Sequence, residues 1–85
     1  MNSLTKTQKM LLTIPQWKKN SEFLVHTLMI LTDDVNMIVG MTKIYNKFIH
    51  DYFEKNPQMS PAMVEIILKK MTPKWFLNKI KNDPF

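Results

Sequence analysis

Residues 34–55 read DVNMIVGMTKIYNKFIHDYFEK, and the spacing of their apolar side chains decides the fold class. Ile38, Met41, Tyr45, Phe48 and Tyr52 recur at alternating steps of three and four, and Met37, Ile44, Ile49 and Phe53 widen the same stripe. Asn36, Lys43, Lys47, His50 and Glu54 fall on the opposite side. A period of 3.6 residues gathers such positions onto one face, so the stretch predicts an amphipathic helix about 22 residues long, roughly 33 Å at 1.5 Å per residue. Gly40, the only glycine of the chain, lies inside it. Glycine costs about 1 kcal/mol relative to alanine in a helix interior, so Gly40 marks either a close-packing point or a local weakness.

Proline and capping residues divide the rest. Thr5-Lys6-Thr7-Gln8 has capping-box spacing, and a first helix is expected from there to about Ile14, stopping before Pro15. Asn20-Ser21 offers a cap for a second helix over residues 22–31, where Phe23, Leu24, Leu28 and Leu31 share a face and Val25, Met29 and Ile30 widen it. A segment apolar nearly all round is expected inside. Thr32-Asp33-Asp34 is a further cap, although the helix could also run through it. Asn56-Pro57 closes the long helix. Ser60-Pro61 and Thr72-Pro73 then pair a capping hydroxyl with proline at the first helical position. They open a fourth helix to about Met71, with Met63, Val64, Ile67 and Met71 inward, and a fifth to about Asn82, with Trp75, Phe76, Leu77 and Ile80. No stretch alternates as a strand does. The expectation is an all-α chain, residues 1–85 as one domain, in which four to five short helices bundle around one long central helix.

Composition narrows the function. An 85-residue chain buries a thin core, and without cysteine it has neither a disulfide nor a thiolate metal site to staple it. Regular helix packing or association with another chain must supply the difference. The first ten residues lack the apolar run of a secretory signal. The longest apolar stretch, Phe23–Leu31, is too short to span a bilayer, for which about 20 residues are needed. A cytoplasmic location follows by default. Net charge is +5, and all twelve basic residues are lysine. Both ends are basic and the middle is mildly acidic, which in its plainest form means solvated helix faces. Lysine without arginine, with many Ile and Asn, is also what AT-rich codons produce, as in a low-GC bacterium or its phage.

The catalytic inventory is poor, and no enzyme, cofactor or metal site is expected. His26 and His50 stand on different helices without an i,i+4 partner, and His26 is expected as a hydrogen-bonded core residue. Asp33-Asp34 lacks the alternating oxygen ligands and glycine of a calcium loop. One glycine cannot build a phosphate loop. Ser21 and Ser60 serve better as caps than as nucleophiles. Trp17-Lys18-Lys19 and Lys74-Trp75 have the composition of membrane-surface or base-stacking platforms, but a tryptophan closing the edge of a thin core explains each more simply.

Two functional readings remain. The first is a helical regulator or inhibitor acting by protein–protein contact, with a target protein or as a homodimer, through Met37, Met41, Tyr45, Phe48 and Tyr52. The apolar stripe of the long helix is wider than four short helices can cover, and Tyr45 and Tyr52 are expected on its outer edge. The eight methionines suit an adaptable surface of this kind. The second is DNA binding by a helix-turn-helix-like pair over residues 60–82, through Lys69, Lys70, Lys74, Asn78, Lys79 and Lys81. Lysine neutralises phosphate but lacks the fork that reads guanine, and the turn between those helices has no glycine. The interaction reading is the stronger.

Overall fold

Thr5 opens the first helix with a reciprocal capping box. Its Oγ1 accepts the Gln8 backbone N–H at 3.1 Å, and its own N–H donates to Gln8 Oε1 at 2.8 Å. In this computed structural model residues 4–82 are described, and residues 1–3 and 83–85, Asp83 among them, lie outside that description. The helices are α1 (Lys6–Leu12), α2 (Pro15–Leu31), α3 (Val35–Glu54), α4 (Pro61–Lys70) and α5 (Pro73–Asn82), with no strand among the described residues.

Most boundaries follow from caps visible in the sequence. Asp34 Oδ1 accepts from the N–H groups of Asn36 and Met37 at 3.0 and 3.3 Å, and Thr32 Oγ1 accepts the Asp34 N–H. The chain therefore breaks at Thr32–Asp34 rather than running through. Ser60 caps α4 through the Met63 N–H, and Thr72 caps α5 through the Trp75 N–H.

The second helix departs from expectation. It begins at Pro15, not at Glu22, so Asn20 and Ser21 lie inside it and neither is a cap. Proline suits the first helical position, where a missing N–H costs nothing, and Ile14 before it takes the extended conformation that proline imposes. Freed from capping, Asn20 becomes a tertiary anchor.

α2 packs against all four other helices, α3 also packs against α1, and aromatic rings join α3 to α5. One continuous core results. It combines Leu11, Ile14, Trp17, Leu24 and Leu28 from the first half of the chain with Tyr45, Ile49, Phe53, Val64, Leu68, Met71 and Phe76 from the second. The Tyr45 ring stacks on Trp17 at 6.0 Å and meets Phe76 edge-on at 5.0 Å. Such pairs contribute about 0.5–1.5 kcal/mol beyond their buried area.

A polar cluster sits within this core. Asn20, 3% exposed, donates through Nδ2 to the Leu68 carbonyl at 2.8 Å and accepts from Gln16 Nε2 at 2.9 Å. Tyr45 donates its hydroxyl to the Met71 carbonyl at 2.7 Å. Leu68 and Met71 stand at the end of α4, where carbonyls lack intrahelical partners, so two side chains from α2 and α3 complete that helix end. Burial pushes the Tyr45 phenol up to about 12, partly offset by the Asn20 side chain beside it.

Candidate interaction surface

The core stops short of one end of the molecule. Between Leu28 on α2 and Tyr45 on α3 no residue is buried. The last turn of α2 and the first half of α3 form a helical corner reaching past the other helices. Leu31 continues the Leu24–Leu28 face yet is 68% exposed, because no helix lies opposite it. Ile30 is 85% exposed and Met37 53%, with Met29, Val35, Val39 and Ile44 also exposed. Ile38 and Met41 are the only side chains of the first half of α3 that lean on the core.

The run Phe23–Leu31 is thus not enclosed as its composition suggested. Only Leu24 and Leu28 are buried, because α2 is covered on one side and an 85-residue chain has no second layer for the other. His26 follows the same geometry. It faces solvent on the side away from Leu24, and the expected core hydrogen bond is not formed among the described residues. His50 is half-buried instead, its Nδ1 at 2.6 Å from the Asn46 carbonyl and its ring edge-on to Trp17. The Asn46 Oδ1 nearby is buried with no partner.

The expected contact residues separate into three groups. Met37 is exposed on the corner. Met41, Phe48 and Tyr52 are half-buried, with Phe48 tilted against Trp75 at 5.8 Å and Tyr52 edge-on to Phe53 at 5.2 Å. Tyr45 is 0% exposed, which corrects its placing at the outer edge of the stripe. Stripe membership says that a residue lies on the apolar face. It does not say how deep α2 and α5 press onto that position. The residues overlooked are Met29, Ile30, Leu31, Val35 and Val39. For Met29, Ile30 and Leu31 the signal was an all-round apolar segment ending on Thr32-Asp33-Asp34, more apolar surface than a thin core absorbs; for Val35 and Val39 it was apolar side chains standing off the stripe of the long helix.

Charge surrounds the corner unevenly. Asp33 and Asp34 occupy its tip, both exposed, while Lys43 and Lys47 stand further along α3. Lys47 Nζ lies 3.2 Å from Asp51 Oδ2 one turn away, an exposed pair contributing about 0.3–0.5 kcal/mol. Gly40 lies between the two charge zones. A Cβ built there meets nothing within 4 Å, so no neighbour in the chain requires a glycine.

The basic residues of the second half lie elsewhere. Lys69, Lys70, Lys74, Asn78 and Lys81 are exposed, and the spacing of Lys74, Asn78 and Lys81 puts them along one outer face of α5. Lys79 is half-buried, its ammonium 6.0 Å from the centre of the Trp75 ring. Among the described residues no three His, Asp or Glu side chains converge as a metal site would need, and no helix is long and apolar enough to cross a membrane. No protein-family model matches the chain, and no curated protein or solved structure matches it.

Proposed function

We propose that this chain is a protein-interaction module, a regulator or inhibitor in type, whose contact surface is the apolar corner formed by the end of α2 and the first half of α3. The observation that carries this reading is the cluster of exposed Met29, Ile30, Leu31, Val35, Met37, Val39 and Ile44 around one helix–helix turn. Soluble monomers rarely leave more than a few hundred Å² of contiguous apolar surface uncovered unless it binds something.

Magnitudes support binding of modest strength. Burying such a side chain from full exposure contributes about 1.5–3 kcal/mol, so these seven, exposed by 42–85%, supply roughly 6–13 kcal/mol. That is of the same order as the 4–15 kcal/mol lost in translational and rotational freedom on association. Apolar burial alone therefore gives a weak complex, and polar complementarity must add the rest. A membrane surface suits the corner less well, because Asp33 and Asp34 stand at its tip and anionic headgroups would repel them.

The second reading, nucleic-acid binding, draws on the Lys74, Asn78 and Lys81 face of α5. A pull-down with and without nuclease separates the two. Recovery of a protein partner that survives nuclease, abolished by Ile30→Glu with Met37→Glu and retained by Lys74→Glu with Lys79→Glu, is the expected result. Recovery of nucleic acid alone, lost with the lysine reversals and kept with the corner variants, would overturn the interaction reading.

A further inference from the structure

We propose that the corner's partner is a second copy of this chain, docked antiparallel along α3 with the two-fold axis at Gly40. The inference rests on the interaction reading above and names the occupant of that surface.

Gly40 supplies the first argument. It is the sixth residue of a 20-residue helix, past the first turn, and carries the helix-propensity penalty of glycine, about 1 kcal/mol against alanine. Inside the chain nothing comes within 4 Å of the missing Cβ, so the penalty has no intramolecular return. A helix arriving from outside is the remaining use for it. Interaxial distances of 8–10 Å depend on the side chains at the crossing, and a glycine there permits the closest approach.

Position along the helix supplies the second. Met37, Gly40 and Ile44 follow one another at steps of three and four, the spacing of a single seam, and Lys47 continues it at the next three. Beyond Ile44 the seam turns from apolar to charged, with Lys47, Asp51 and Glu54 next along it. The apolar part of the seam, Met37 to Ile44, is therefore centred close to Gly40, as an isologous contact requires, because each copy must offer the same patch to the other.

Charge supplies the third, and it selects the orientation. Asp33 lies in the link before α3 and Asp34 caps it, so both acids stand at the start of the helix, whereas Lys43 and Lys47 follow Gly40 by one and two turns. Antiparallel crossing at Gly40 brings the acidic start of α3 in each copy towards the Lys43 and Lys47 stretch of the other. Parallel packing would oppose like charges. Asp33 makes no hydrogen bond or ion pair among the described residues, whereas Asp34 is occupied as the α3 cap. Each exposed pair contributes only about 0.2–1 kcal/mol, but the symmetry doubles it, and reversing the sign costs as much again.

The chain contains no cysteine, which makes the test direct. A residue on a two-fold axis meets its own copy, so Gly40→Cys is expected to form an intermolecular disulfide on mild oxidation, faster than Lys55→Cys at the exposed far end of α3. Unmodified protein is expected to sediment at twice the 10.1 kDa chain mass as concentration rises. Gly40→Leu and Asp33→Lys should each weaken this dimer about tenfold while circular dichroism stays helical, and Asp33→Lys combined with Lys47→Asp should restore it. A chain that stays at its monomer mass at every concentration, or a Gly40→Cys variant that crosslinks no faster than Lys55→Cys, overturns the second copy as occupant. If the Ile30→Glu, Met37→Glu variant still loses a different protein in the pull-down, the interaction reading survives that outcome. If those changes alter no association of any kind, both fail.

Discussion

Asn20 illustrates how a residue with an ordinary local role can acquire a tertiary one. Beside a serine it reads as a helix cap, yet it lies buried in α2, tying that helix to the Leu68 carbonyl. Asn20→Ala leaves that carbonyl without its donor, and the expected cost is about 1–3 kcal/mol in chemical denaturation. Tyr45→Phe removes only the bond to Met71 and should cost about 1–1.5 kcal/mol. Tyr45 also makes stability depend on alkaline pH. Its phenol titrates at about 12 in the folded chain against about 10 unfolded, so its contribution is complete below pH 10. Between pH 10 and 12 the unfolded chain releases the proton while the folded chain keeps it, and stability falls by on the order of 3 kcal/mol. The comparison that isolates this group is wild type against Tyr45→Phe, and the variant should show the shallower decline. An equal slope in the two would refute the burial of this phenol. His26, exposed, should accept glutamine with no measurable change in melting temperature.

Helices were legible to the extent that their ends are local. The Thr5–Gln8 box, the Asp34 cap, and the Ser60-Pro61 and Thr72-Pro73 pairs each operate within four residues, and each is present as read. The start of α2 was not legible in the same way. Pro15 can end one helix or begin another, and the competing Asn20-Ser21 signal was settled by the Leu68 carbonyl, 48 residues further on. Depth was hidden for the same reason. Periodicity placed Tyr45 and Met37 on one stripe, but α2 and α5 cover the first and leave the second in solvent. Gly40 gives the test at this scale. With open space at its Cβ position, Gly40→Ala should stabilise α3 by about 1 kcal/mol, measured in dilute solution where association does not contribute. A destabilised variant would mean that the monomer itself uses the glycine.

At the scale of the molecule, helix lengths and core volume do not match. α3 is the longest element, and the other helices close a core around only its second half. The radius of gyration, 13.2 Å, exceeds the roughly 12 Å of a globular chain this long, as a projecting corner would produce. The excess of apolar surface was visible in the sequence. Its location was not, because it depends on where α2 ends relative to α1, α4 and α5. Methionine oxidation by dilute peroxide reads the corner without any mutation, since conversion to the sulfoxide follows exposure. Met29 and Met37 on the corner, and Met63 on α4, are all more than half exposed, whereas Met71 is 9% exposed. In dilute solution the first three should oxidise quickly and Met71 slowly. When the protein is concentrated, Met29 and Met37 should become protected while Met63 stays reactive. Protection confined to Met63, or none at any concentration or with any recovered partner, would contradict the assignment of the α2–α3 corner as the association surface.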